Sequence, residues 1–177
     1  IPMSINDAGA IACQGTINGV THACLLMPLQ SETFTLAINV VGNGSVVYVA
    51  DSLNHMIRKI TITPTRNTVT TFAGSGIAGL ADGLGTAAQF SYPQRILVDS
   101  AGGSRVFVTD IGLDDRPALR LVSPLGDVQT FGQEFLRRTG NQFVGLCIDP
   151  YRNIFLATPE RHIITAINPL GEVGIAT

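Results

Sequence analysis

The sequence predicts an all-β chain built from repeated four-stranded antiparallel units. Three observations carry this expectation. Apolar residues alternate with period two in short runs separated by turn residues, and no longer window keeps a helical apolar stripe. Those runs fall into three groups of four. Segments also recur along the chain: SPLGDV at 123 returns as NPLGEV at 168, an offset of 45, and Asp51, Asp110 and Thr158 hold the same place in their groups, with gaps of 59 and 48. Four-strand units with periods of roughly 40–50 residues are propeller blades, and a blade buries its faces only by stacking on its neighbours.

Taken in order, residues 1–33 are expected to hold the outer strand and connection of a preceding blade. NDAGAIACQG (6–15) resembles the outer-strand segments PLGDVQTFG and PLGEVGIAT, and THACLLMP at 21 aligns with TAAQFSYP at 86, an offset of 65. Blade 1 spans 34–73, with strands at 36–41, 45–50, 55–62 and 68–73. Residues 74–132 supply an inter-blade loop and blade 2, with strands at 95–100, 105–110, 118–123 and 127–132. Blade 3 spans 133–177, with strands at 143–149, 153–158, 162–168 and 172–177. All belong to one propeller domain. A propeller takes about four to eight blades to close. Three blades and an orphan strand therefore predict a partial propeller, closed within a longer parent chain, or half of a six-blade ring closed by a homodimer.

Composition narrows the function. Hydrophobic residues make up 45% and charged residues 14% of 177, so the chain is not of the disordered class. With 11 basic and 13 acidic residues, no global basic field draws in nucleic acid. No apolar run reaches the ~18 residues that cross a bilayer, so membrane insertion is not expected. The opening IPMSINDAGA has neither a basic region nor an apolar signal core, and it lacks an initiator Met, so it does not indicate a compartment. Cys147, in FVGLCID, is expected to pack as a buried thiol. Cys13 and Cys24 have no zinc-site spacing, and whether they pair stays open.

Several motifs have a sharp reading and a plain one. In YVADSLNHMIRKI, Asp51 and His55 stand four residues apart between apolar runs. No nucleophile or metal set accompanies them, so Asp51, like Asp110, is expected to fix a turn by accepting backbone N–H bonds. GSGIAG (Gly74, Gly76, Gly79) fits a dinucleotide fingerprint, but Gly83 and Gly85 break the helix that reading needs. A connecting loop with one helical turn at TAAQF is expected instead. His22, His55 and His162 are the only histidines. His55 and His162 each open a third strand, away from the axis, so no metal and no cofactor is expected. Asn43-Gly44-Ser45 reads as a hairpin turn, and Asn43 becomes a glycosylation site only in a secreted protein. Arg116, Arg120, Arg137 and Arg138 are expected on a solvated face.

VVYVADSLNHMIRKI, followed by TFAGSGIAGLADGLGTAAQFSYPQRILVD, resembles the NHL repeat, a β-propeller blade. Blade 2 keeps VFVTD but replaces the usual Asn-His-Arg type turn with IGLDDRPALRLV, and blade 3, IFLATPERHIITAI, lacks the Asp. The resemblance implies a non-catalytic module whose loop face binds a protein partner. The residues expected to do so vary between blades: Leu53, Asn54 and His55, then Asp114, Asp115 and Arg116, then Glu160 and Arg161. It also leaves two alternatives, a propeller lyase or hydrolase with an axial metal and an RNA-binding propeller.

Overall fold

The computed structural model describes residues 2–5, 11–17, 20–26, 35–41, 44–101, 103–112, 117–131, 143, 145–158 and 162–176, with side chains from 46 to 174 within these. Blade 1 is β4 (Thr35–Val41), β5 (Gly44–Asp51), β6 (Met56–Ile62) and β7 (Asn67–Ala73), a four-stranded meander in chain order. Blade 2 is β9 (Pro93–Asp99), β10 (Arg105–Ile111), β11 (Pro117–Val122) and β12 (Asp127–Phe131). The short β8 (Gly83–Leu84) adds a fifth strand on the outer edge of that sheet. Blade 3 is β13 (Gly145–Ile148), β14 (Ile154–Thr158), β15 (Ile163–Ile167) and β16 (Val173–Ala176). Every pairing is antiparallel. The innermost strands stand together, β9 packing against both β4 and β13. The described sheets do not close a ring.

The second strands explain how the blades stack. In β5 the residues Val47, Tyr48, Val49 and Ala50 are all buried, and in β10 the run from Val106 to Asp110 is. A strand covered on both faces reads as a continuous apolar run, while successive side chains still leave on opposite sides. Tyr48 and Ala50 enter a core shared with Phe90, Ile96, Val106 and Val108, between blades 1 and 2. Phe107 leaves β10 on the other side and packs with Leu119, Phe143, Ile154, Leu156 and Ile167, between blades 2 and 3. Val47, Val49 and Ile60 form a third cluster on the far face of blade 1. Each fully buried aliphatic or aromatic side chain contributes about 1.5–3 kcal/mol, so the interfaces between blades carry the core.

The turn at the third-to-fourth strand is identical in blades 2 and 3. Gly126 N–H donates to the Ser123 carbonyl and Gly171 N–H to the Asn168 carbonyl, each at 2.9 Å. Both glycines have positive φ, 89° and 84°. The offset of 45 read from SPLGDV and NPLGEV is therefore a structural repeat. His55 and His162 are equivalent in the same way, at φ 57° and 54° ahead of their third strands. At the opposite turn, Asp99 binds blade 3 to blade 2: it accepts from Arg105 at 2.7 Å and from Arg152 Nη2, in the β13–β14 turn, at 3.0 Å.

Four expectations need correction. Residues 1–33 do not hold one outer strand: β1 (Pro2–Ile5), β2 (Ile11–Ile17) and β3 (Val20–Leu26) form a three-stranded sheet in that order. The reason is local. Asn18-Gly19 is the strongest two-residue hairpin signal, and it separates two alternating runs that pair from Ile17↔Val20 back to Ile11↔Leu26. The alignment of THACLLMP with TAAQFSYP fails for the same reason, since the second segment begins in a 3₁₀ turn, Gly85–Ala87, not a strand. Cys147 is exposed, not buried. In β13 its neighbours Leu146 and Ile148 face blade 2, so alternation sends Cys147 to the far side of blade 3, where Ile164 is also 49% exposed. Arg120, expected in solvent, is completely buried.

Candidate functional site

At one end of the blades the second strand turns into the third and the fourth strand connects to the next blade. The blade 1 turn is a single 3₁₀ turn, Ser52–Asn54, closed by His55 N–H donating to the Ser52 carbonyl at 3.3 Å. His tolerates the left-handed conformation at its end better than a β-branched residue would. Asp51 is buried beneath the turn. It accepts Asn54 Nδ2–H at 2.8 Å and stands 3.8 Å from Arg58 Nε. The carboxylate thus holds the turn through the Asn54 side chain, where backbone N–H groups were expected.

This turn is anchored to the next blade. The Ser52 hydroxyl donates to the Pro93 carbonyl and His55 Nδ1–H to the Ser91 carbonyl. The N–H groups of Ser91 and Tyr92 in turn donate to Asp110 Oδ1 at 3.1 and 2.7 Å. The residue that ends the second strand of blade 2 therefore secures the connection arriving from blade 1. Burial pushes the Asp110 carboxyl up to about 6, although the two N–H groups, Arg120 and His55 pull it down.

Arg120 lies at the centre of this connection. It is covered by Phe90, whose ring centroid is 5.2 Å from the guanidinium carbon. It donates to the Gln89 and Ala81 carbonyls at 2.8 and 3.1 Å, to Asp82 at 2.8 Å, and lies 3.5 Å from Asp110 Oδ2. Asp82 also accepts Thr130 N–H at 3.0 Å and its hydroxyl at 2.8 Å. Burial alone would raise the Asp82 carboxyl, but those donors and the guanidinium outweigh it, and it sits below its ordinary value.

The glycine-rich connection is folded onto itself. Gly74 N–H donates to the Gly85 carbonyl at 3.0 Å and Gly79 N–H to that of Phe90 at 3.2 Å. Two of the three amides that a phosphate cradle would need are spent internally, and no helix follows. A Cβ built on Gly74 would stand 2.6 Å from the His55 carbonyl oxygen, which, with φ of 105°, explains glycine there. The loop runs across the blade 1 turn, since a Cβ on Gly76 would come 3.9 Å from the Asn54 carbonyl. The next residue, Ile77, is 65% exposed, and Leu53 in the turn below is 47% exposed.

Of the residues expected to bind a partner, the structure thus places Leu53 in solvent and commits the side chains of Asn54 and His55 to internal bonds. Asp114, Asp115, Arg116, Glu160, Arg161 and Asn43 lie outside the described residues. Ile77 was missed by sequence reasoning, because the loop was weighed only for its glycines. Arg58 and Arg120 were missed as a pair with Asp51 and Asp110. Both arginines hold the same register, Arg58 opposite Val49 and Arg120 opposite Val108, each two residues before the Asp. The aligned strands MIRKI and ALRLV carried that signal. Among the described residues, no group of three His, Cys, Asp or Glu is placed to hold a metal ion, and no helix is long and apolar enough to cross a membrane.

No family model matches the chain. Over 68 residues, 38% of the chain, it is 40% identical to the protein SUPPRESSOR OF QUENCHING 1, chloroplastic, of Arabidopsis thaliana, and it spans 6% of that relative's length. Among solved structures it is similar to virginiamycin B lyase from Staphylococcus aureus, with a TM-score of 0.54, 14% identity and 99% of this chain matched to 54% of that one. A streptogramin B lyase structure gives a TM-score of 0.55 at 14% identity, with 98% of this chain matched to 53% of it. At such identity the likeness speaks to fold alone. The chain has a β-propeller-like fold and spans about half the length of these lyase chains.

Proposed function

We propose that the chain is an NHL-type propeller module, without chemistry of its own, that presents the loop face carrying Leu53 and Ile77 to a protein partner. One observation carries the reading. Around these residues Asp51, His55, Asp82, Asp110, Arg58 and Arg120 are all engaged by other side chains or backbone groups, so the ionisable side chains serve as fasteners. Beside the half-exposed Asp82, this part of the surface offers solvent the aliphatic Leu53 and Ile77. Exposed apolar residues on adjoining loops suit protein recognition better than proton transfer. On this proposal the loops with Asp114, Asp115 and Arg116, and with Glu160 and Arg161, supply the corresponding rim of the next blades.

The test is affinity capture with quantitative mass spectrometry, comparing wild type with Leu53→Asp/Ile77→Asp. Leu125 and Leu170, 87% and 83% exposed in turns at the other end of the blades, provide the control variant. The proposal expects a partner held by wild type and the control and lost at least tenfold from the loop-face variant. Equal retention by both variants refutes it. An enzyme reading rests on the similarity to the two lyases. Turnover of a streptogramin B substrate, with or without added divalent cation, would establish that reading in place of ours. Steep weakening of RNA binding with salt would be the mark of the third reading.

A further inference from the structure

Cys13 and Cys24 are directly opposed in neighbouring antiparallel strands, β2 and β3. Opposed residues in such a pair have Cα atoms about 4.5 or 5.5 Å apart, depending on the hydrogen-bonding site. Both separations fall within the roughly 4.4–6.8 Å that a disulfide spans. The sequence alone, with Cys13 and Cys24 11 positions apart, leaves the pairing open; the register brings them together. From this we infer that Cys13 and Cys24 form a reversible dithiol–disulfide couple across the β2–β3 hairpin.

By period-two alternation Ile11, Cys13, Gly15 and Ile17 share one face of β2, and Leu26, Cys24, His22 and Val20 share the same face of the sheet from β3. His22 is thus one step along that face from Cys24, opposite Gly15. Among the described strands β3 is an edge of the three-stranded sheet. Cys147 is far along the chain in another sheet, and among the described residues nothing pairs with it.

The oxidant is a small-molecule disulfide such as glutathione disulfide. One protein thiolate attacks its S–S bond, forming a mixed disulfide and expelling one glutathione thiolate. The second protein thiolate attacks the mixed disulfide at the protein sulfur and expels the other glutathione. Two protein thiols are oxidised, one glutathione disulfide is reduced to two glutathiones, and the two protons pass to the departing thiolates.

The experiment equilibrates the whole chain in glutathione buffers of graded ratio, quenches with acid, alkylates with N-ethylmaleimide and maps the peptides. Reduced protein takes three labels, one for each Cys. Oxidised protein is expected to take one, on Cys147, with the Cys13 and Cys24 peptides linked and the remaining labels restored by dithiothreitol. Cys147→Ser should keep the link, and Cys13→Ser or Cys24→Ser should each abolish it. Separate glutathione adducts on Cys13 and Cys24, links to Cys147, or links between chains in wild type would overturn the inference. Because the wild-type peptide map decides alone, a variant that fails to fold leaves the test intact.

Discussion

Gly126 and Gly171 allow the stacking of blades to be weighed with an internal control. They occupy the same turn in consecutive blades and share their backbone, φ 89° and 84°. Substitution by Ala places an L residue in the left-handed region at both sites, at about 1–2 kcal/mol. The accompanying gain from a stiffer unfolded chain is also common to both. What differs is the preceding blade. A Cβ on Gly126 would stand 2.9 Å from the carbonyl oxygen of Phe72 in β7, a backbone atom that moves only with its strand. On Gly171 the nearest atom is Phe131 Cε2 at 3.5 Å, an ordinary contact with a side chain. Forcing extra volume against packed structure costs about 1–3 kcal/mol. Gly171→Ala should therefore lose about 1–2 kcal/mol and Gly126→Ala about 2–5 kcal/mol. Urea unfolding measures both, with an unchanged m-value showing that only stability has moved. In a thermal scan each kcal/mol corresponds to about 2–4 °C at this chain length. Equal losses in the two variants would refute the reasoning, because blade 2 would then not press its turn on blade 1.

The buried charges supply two further expectations. Arg120→Met leaves Asp110 buried without its cation and should cost about 3–5 kcal/mol at pH 8, with a smaller loss at pH 5, where Asp110 takes up a proton; chemical denaturation at the two pH values distinguishes this from a loss independent of pH. Asp110 has its folded value raised from 3.8 to about 6. The proton is therefore held more tightly in the folded state, so the stabilising contribution is complete below pH 3.8 and is lost as pH rises through about 6. That window amounts to about 3 kcal/mol, and Asp110→Asn should flatten it; a stability–pH curve with the same slope in both proteins would remove Asp110 as its source.

How far the sequence could be read depended on what each feature required. The blades were legible because a strand packed on both faces must be apolar at every position, and VVYVA, VFV and IFLA are. The turns were legible because PLGD and PLGE need glycine at one left-handed position. The N-terminal residues were misread, since a resemblance of outer-strand segments was weighed above the hairpin signal Asn18-Gly19. Cys147 was misread because burial in a blade depends on a neighbour, and alternation turned that residue away from blade 2. In the candidate site, variation between the repeats points to Leu53, which is exposed, and the recurring strand ends point to Asp51 and Asp110, which are buried. The site was not legible at Ile77, whose exposure follows from how the connection crosses the blade 1 turn. Arg120 reads in sequence as an ordinary surface charge. Only the carbonyls of Ala81 and Gln89 and the carboxylates of Asp82 and Asp110 make its burial tolerable, and they come from three separate segments.

Blade 3 shows why such a buried pair must change as a pair. Thr158 stands where Asp51 and Asp110 stand, and Thr165 lies opposite Leu156 as Arg58 lies opposite Val49 and Arg120 opposite Val108. Both threonines are buried, with hydroxyls that have no hydrogen-bond partner among the described residues. Losing the Arg alone would strand a carboxylate in the interior, and losing the Asp alone would strand a guanidinium; either costs several kcal/mol. Losing both leaves two neutral groups with far smaller desolvation costs. The absence of Asp from the third repeat is thus coupled to the absence of Arg from the facing strand. A degenerate repeat can keep the blade while giving up its ionic fastener.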